Sequence, residues 1–343
     1  MTVEQLRLER QRLEIPTRRP IGFWEDAFRR LIKNRAAVAG GIILILLVII
    51  AVLADVIAPY PYAKQQLSPV AKDNTVPHWL LPFLPAGTTR YAKVSDEFLM
   101  GADTLGRDIF SRLIYGARIS LLVGFIGAMT AIILGVIYGS ICGFFGGLTD
   151  TLMVAFIDIM YAFPTILLII LMMVYFRSVL VQVDPNSFQG MMRRIDDSMG
   201  GLFFIFIGIG ITAWMGQARL VRGQILSLKQ KEFIEAAYTI GATDLRIIVR
   251  HLLPNVLGPV IVAGTLAIPG YIGSEAFLSF IGLGVQPPTP SWGTMINDGR
   301  IALLTYPHQI LFPGLALATV MLAFNFLGDG LRDAMDPRMR GTK

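Results

Sequence analysis

From Ala36 to Ala54 the chain runs for nineteen residues made only of Ala, Gly, Ile, Leu and Val. At ~1.5 Å per residue a helix of that length crosses a hydrocarbon core of ~30 Å, where the backbone must satisfy its own hydrogen bonds. Further apolar stretches follow at Ile119 to Thr149, Thr151 to Phe176, Gly200 to Ala218, Val256 to Phe280 and roughly Ile310 to Gly330. The composition agrees: 54% of the 343 residues are hydrophobic, 16% are charged, and mean hydropathy is +0.61. These features predict an all-α integral membrane protein with six transmembrane helices.

Charge sets the expected orientation. The first 35 residues are polar and hold nine Lys/Arg, so the first span lies too far along, and is too long, for a cleaved signal peptide. With six spans both termini share a side, and that side, with the 219–251 loop, carries 19 of the 30 Lys/Arg. The positive-inside rule makes it cytoplasmic, although Arg107, Arg112 and Arg118 count against the assignment. The net charge of +6 is expected of residues flanking spans and does not imply nucleic acid. The chain divides into a cytoplasmic amphipathic segment (1–35), a first span (36–58), an external loop ending in an amphipathic helix (59–118), a core (119–330) and a tail (331–343). In the first segment Phe23/Trp24, Ala27/Phe28 and Leu31/Ile32 recur at helical spacing beside Arg29, Arg30 and Lys33, the pattern of a helix on the inner membrane surface. A second external insert is expected at 182–199.

Gly127, Ala131, Gly135, Gly139, Gly143 and Gly147 recur every fourth residue, a smooth stripe suited to close helix packing. The segment Arg219 to Asn255 is long, charged and still patterned as helix. Phe233, Ala236, Ala237 and Ile240 fall at i, i+3, i+4 and i+7, and Gly241 is expected to end that helix. Leu245, Ile248, Val249 and Leu252 repeat the spacing, and Pro254 is expected to close the second helix. Such a hairpin suits insertion into a groove on a soluble partner or rest on lipid headgroups; both uses need the same stripe.

Glu235-Ala236-Ala237, Gly241 and then His251-Leu252-Leu253-Pro254-Asn255 resemble, spacing included, the EAA loop of ABC-importer permeases. The resemblance covers nearly the whole chain and is to the C-type subunit of the peptide/nickel permease family. It includes Asn34-Arg35-Ala36, Gly106-Arg107-Asp108, Gly143-Phe144-Phe145-Gly146-Gly147 with Asp150, Ala162-Phe163-Pro164, Val221-Arg222-Gly223-Gln224, Ser291-Trp292-Gly293 and Gly328-Asp329-Gly330. Ala102 stands where the family usually has Thr, and the stretches around 60–98 and 182–199 look longer than usual. The resemblance implies a type I importer fold and a translocation path shared with a homologous second permease. It further implies an extracytoplasmic solute-binding protein, two cytoplasmic ABC ATPases that bind the ATP and Mg, and a bacterial or archaeal plasma membrane. This chain would hold no cofactor and would not hydrolyse ATP. Glu235 would contact the ATPase, Ala236 and Ala237 would form the close-approach surface, and Gly241 the turn. Peptides lead the cargo classes that the resemblance implies.

Two acids inside the apolar stretches have two readings each. Asp158 lies eight residues, ~12 Å, beyond Asp150, and Glu275 lies in the fifth stretch; either lines the path or makes an interhelical hydrogen bond. Asp329, Arg332 and Asp333 predict a local ion-pair network, and the Asp103–Asp108 turn reads as structural rather than cation-binding. His78 and His308 are expected in external loops or at the interface, and none of the three histidines is assigned a metal. Cys142 is the single cysteine, so an intramolecular disulfide is excluded. G-x-x-x-x-G-K-[ST], H-E-x-x-H and G-x-S-x-G are absent. An ion-coupled secondary transporter would also use intramembrane acids, but the hydropathy lacks paired halves and the long hairpin would have no task there.

Overall fold

The computed structural model describes residues 22–336 except 66–73, 86–87, 89–91, 180–182 and 185. Helix α1 (Phe23–Lys33) is followed directly by α2 (Arg35–Val52). Asn34 makes the junction: its extended backbone ends α1, and its side chain accepts the Ala36 and Ala37 N–H groups at 3.1 and 3.2 Å to start α2. Ala27 of α1 is buried while Trp24, Phe28 and Ile32 are exposed, leaving an apolar stripe on the outer face.

The second apolar stretch begins ten residues earlier than the sequence reading put it. Helix α3 runs unbroken over Ile109–Phe145, so the separate amphipathic helix expected at 109–118 is the first part of this span. Asp108 caps it, accepting the Ser111 N–H at 2.8 Å and hydroxyl at 2.6 Å. The third stretch departs further: α4 (Gly147–Ala162) and α5 (Thr165–Val179) meet at a 78° bend. Pro164 explains the break, because it forces Phe163 into an extended conformation (φ −87°, ψ 130°). Then come α6 (Phe188–Ser198), inside the predicted second insert, and α7 (Leu202–Leu228), which extends ten residues into the expected loop.

After α8 (Glu232–Thr239), helix α9 runs Asp244–Phe280 and joins the second hairpin helix to the fifth span. Pro254 therefore does not close that helix. A π-helical turn over Ile248–Leu252, in which the Leu253 N–H bonds back to Ile248 O, precedes the proline and reroutes the ladder around its missing donor. Short α10 (Trp292–Gly299) and long α11 (His308–Met335) complete the chain. Among the described residues, α2, α3, α7, α9 and α11 are each long and apolar enough to span a membrane, and the bent α4–α5 pair passes the same test.

The small-residue stripe holds the bundle together. A Cβ on Gly135 or Gly139 would collide with Gln217 Cβ or the Ala218 carbonyl of α7, and one on Gly143 would stand 2.9 Å from the Arg222 carbonyl. Gly147, in contrast, faces open space at φ +55° and serves the α3–α4 turn. Gly40 seats α2 against Ala323 and Phe326 of α11, and Gly124 seats α3 against Ile268 and Ile272 of α9.

At the end opposite α8, the predicted external loop forms a cap. Parallel strands β1 (Thr75–Val76) and β2 (Lys93–Val94) pair Thr75 with Lys93 and Val76 with Val94. Val76, Leu80 and Ala92 pack on Ala302 and Tyr306 before α11. Below them Asp103 and Asp298 pair with both Arg107 and Arg112. Arg118 reaches Asp55 at 2.9 Å and donates to the Ala51 and Val52 carbonyls. The three arginines that weighed against the orientation are thus occupied within the fold. His308 departs from its expected surface position: it is buried at the start of α11, whereas His78 is exposed beside Asp96 at 2.9 Å.

Candidate functional site

The hairpin starts where α7 ends. Lys229 donates to Phe144 O at 2.6 Å and stands over the Phe144 ring, tying the α7 terminus to that of α3. Helix α8 closes on Gly241, whose φ is +80°: its N–H bonds Tyr238 O at 2.9 Å and the Ala242 N–H bonds Ala237 O at 3.0 Å. This pair of bonds is the Schellman arrangement, which needs a left-handed residue at that position.

The apolar stripe of the hairpin divides in a way the sequence reading did not foresee. Ile234 and Ala237 of α8 and Ile247 and Leu252 of α9 are buried with Phe144, Val221, Ile225, Val256 and Val260. The expected partners of Ala237 point away: Phe233 is 42% exposed, Ile240 83%, Leu245 71% and Val249 55%, and Glu235 and Ala236 are exposed beside them. Burying Ile234 and Ile247 rotates these residues outward, because a helix two turns long cannot bury every apolar side chain against one surface. The hairpin therefore carries two faces, one fixed to the helix ends and one apolar and uncovered. Burial also pushes the Tyr238 phenol up, with Asp244 nearby adding to the effect.

Behind the hairpin two ion pairs connect α4 to α7. Arg222 grips Asp150 through Nε and a terminal nitrogen at 2.5 and 2.6 Å, and the Cys142 thiol donates to the same carboxylate at 2.8 Å. Arg219 pairs with Asp158 and stands 4.6 Å from the Tyr161 ring centroid. The second pair is half-exposed, with side-chain values of 46% and 59%. Sequence reasoning singled out Asp158 but missed Arg219 as its partner. The spacing held a signal, since Asp150 and Asp158 lie about two turns apart on one helix and Arg219 and Arg222 one turn apart on the other.

Glu275 is placed differently. It is fully buried and accepts from Ser279 Oγ at 2.7 Å and Ser120 Oγ at 3.2 Å, so it joins α9 to α3. Asp329, Arg332 and Asp333 are exposed at the end of α11, and among the described residues no ion pair links them, contrary to expectation. Among the described residues no group of three His, Cys, Asp or Glu side chains could hold a metal ion.

Membrane-length helices packed around α3, with a bent helix pair at their edge and a helical hairpin projecting from one end, are the architecture of a membrane-embedded transport component. Residues 131–341 match the family described as binding-protein-dependent transport system inner membrane component, and the chain belongs to that family. Residues 22–77 match the N-terminal TM domain of oligopeptide transport permease C. The chain is 39% identical over 324 residues to the oligopeptide transport system permease protein OppC of Bacillus subtilis (strain 168), covering 94% of this chain and 92% of that one. It is 38% identical to the dipeptide transport system permease protein DppC of the same organism, over 98% of this chain and 92% of that one. It is 36% identical to the glutathione transport system permease protein GsiD of Escherichia coli O6:K15:H31, over 93% and 91%. A chain of the MetNI methionine ABC transporter in an inward-facing conformation aligns with a TM-score of 0.51 at 19% identity, over 66% of this chain and 98% of that one. At that identity the likeness establishes the fold alone. The protein is a permease subunit of an ABC importer, and ATP hydrolysis belongs to separate subunits.

Proposed function

We propose that this chain forms half of the translocation path of a peptide importer and couples it to two cytoplasmic ATPases through the 232–252 hairpin. The cargo reading rests on the relatives named for oligopeptides, dipeptides and glutathione. The observation that carries the coupling reading is the two-faced hairpin. Ile234, Ala237, Ile247 and Leu252 bind it to the ends of α3, α7 and α9, while Phe233, Ala236, Ile240, Leu245 and Val249 stay uncovered, as does Glu235. An uncovered apolar face flanked by Glu235 suits a groove on a soluble partner, and the anchored face lets a push there reach three spans. Gly241 fixes the angle between the two hairpin helices.

In this reading the bent α4–α5 pair counts as one span, giving six, and the hairpin, α1 and the tail after α11 are cytoplasmic. The cap of β1, β2 and α10 faces outward, toward a solute-binding protein, and a homologous permease completes the path. Residues 36–58 form the first span, 59–118 the outer loop and the start of α3, and 119–330 the core with its coupling loop 219–255. Asp158 borders the path. Glu275, enclosed by Ser120 and Ser279, serves as an interhelical tie instead.

The test is purification in mild detergent from cells expressing the neighbouring genes, with mass spectrometry of what co-purifies and a parallel Glu235→Lys variant. Two ATPases and a second permease should accompany the unaltered chain, and the ATPases should be lost from the variant. Recovery of the chain alone in both would overturn the coupling role.

A further inference from the structure

The seam between α4 and α7 has two chemically distinct sides. Ile157 is buried in it with Met215 and Ala218. On one side Phe156 and Met160 of α4 join Phe203, Phe206, Ile207, Ile211 and Trp214 of α7 in an open apolar groove of about 550 Å³, floored by Ile126, Thr130 and Leu134 of α3. That side offers one hydroxyl and no charge, which suits lipid chains. Asp158 and Tyr161 lie on the other side, because on α4 they fall roughly 100–160° from Phe156 and Met160 at 100° per residue. Arg219 meets them there from α7.

Charge makes this second side informative. Asp158 is eleven residues from the start of α4 and Arg219 nine from the end of α7, so both are carried on membrane-length helices and not on the loops between them. Ionised groups on a spanning helix face protein, water or headgroups, not lipid chains. This chain leaves the pair about half uncovered. Tyr161 is also 46% exposed, and Gly216 opposite it adds no bulk: a Cβ there would meet only the Tyr161 hydroxyl, at 3.6 Å. The pair already neutralises itself, so it needs no counter-charge from a second subunit.

We propose that Asp158 and Arg219, with Tyr161 as a shelf, form a charge-exchanging station on the translocation path for cargo with a free ammonium and a free carboxylate. Arg219 takes the cargo carboxylate in a two-point contact, and Asp158 accepts from the cargo ammonium. Each cargo charge replaces a protein charge of the same sign, so no ion is left unpaired in a poorly solvated space. The empty station closes on itself and adds no net charge that would hold or repel cargo bearing charged side chains. This inference rests on the peptide-importer reading and names the chemistry of its path.

The assembled importer in proteoliposomes tests it with three cargoes: trialanine, its C-terminal amide and its N-acetyl form. Arg219→Gln should slow ATP-driven uptake of trialanine by about tenfold, the scale of one charge-assisted hydrogen bond, yet barely alter the amide. Asp158→Asn should slow trialanine and barely alter the N-acetyl form. Equal proportional losses for all three cargoes, or no loss, would overturn the station and leave only an interhelical tie. A second readout needs no turnover. In a Cys142→Ser background, Tyr161→Cys should react with a membrane-impermeant cationic methanethiosulfonate, excess trialanine should slow that reaction, and Phe156→Cys should not react. An unreactive position 161, or one that trialanine does not protect, also overturns the proposal. Failure of the unaltered importer to take up any peptide would strike the cargo reading instead, while the labelling pattern would still decide which side of the seam faces water.

Discussion

Replacing Gly241 isolates the demand that the hairpin turn makes on the chain. A Cβ at this position would meet nothing within 4 Å, so added volume costs nothing by contact, and the whole penalty comes from φ = +80°. An ordinary L-residue held there costs about 1–2 kcal/mol, a β-branched one more, while Asn is tolerated at a fraction of that. At ~1.4 kcal/mol per tenfold, Ala should lower the ratio of correctly turned to misturned hairpin about tenfold and Val further, whereas Asn should nearly match Gly. The expected order is Gly, Asn, Ala, Val, which is not the order of size. The assay is ATP-driven uptake by the reconstituted importer alongside its ATP hydrolysis, with each variant's amount in the membrane measured. Uptake per ATP should fall in that order as hydrolysis separates from transport. Equal activity for Asn, Ala and Val, or a decline following side-chain volume, would refute the reasoning, since it would mean that φ at 241 is not what the hairpin needs.

Glu235 is exposed and away from the buried hairpin face, so Glu235→Lys should leave the melting temperature in detergent unchanged while the ATPases are lost on purification. Gly139→Leu should drive α3 from α7, because its Cβ would overlap the Ala218 carbonyl and lie 2.7 Å from Val221 Cβ; the cost is about 1–3 kcal/mol, read as lowered thermal stability. Glu275→Leu strands the Ser120 and Ser279 hydroxyls between α3 and α9, so it should destabilise by about 1–3 kcal/mol, and Glu275→Gln by less. In the cap, the His78 backbone N–H, and then its ring, hold the Asp96 carboxyl below its ordinary pKa. A depressed carboxylate stabilises the fold above its unfolded pKa and loses that contribution as pH falls through the folded value. Protection against hydrogen exchange in the Thr75–Val76 strand, relative to the intrinsic rate at each pH, should therefore fall on acidification, and Asp96→Asn should remove the dependence.

Spans are legible in the chain because hydropathy reports burial in lipid directly, and Ala36 to Ala54 needs nothing else. Their ends are less legible. The Ile109–Arg118 stretch carries Arg112 and Arg118 and reads as a separate surface helix, yet nearby Asp103 and the sequence-distant Asp298 and Asp55 absorb those charges. Pro164 and Pro254 look alike locally and act oppositely. The first has an extended residue before it and bends the span, while the second follows a widened turn that lets the helix pass. At the hairpin, spacing placed Glu235, Ala236 and Ala237 on the first of two short helices, with Gly241 at its end, but could not say which apolar residues face inward. Ile234 and Ile247 win that place through Phe144 and Val221 on neighbouring helices, a long-range fact that helical periodicity does not contain. The Glu275 hydroxyl cage likewise depends on Ser120, 155 positions away.

The continuity of α9 has a mechanical consequence. Its π turn at Ile248–Leu252 separates a short arm, Asp244–Ile247, from a long arm, Leu253–Phe280. At ~1.5 Å per residue these measure about 6 Å and 42 Å, so a tilt about that turn is magnified about sevenfold between the hairpin and the far end of the span. A shift of about half an ångström in the docked hairpin becomes one of about 3.5 Å beside Phe280, close to the width of a peptide backbone. In the coupling proposed above, leverage of this size would let a small closure of the ATPases open or shut the opposite mouth of the path.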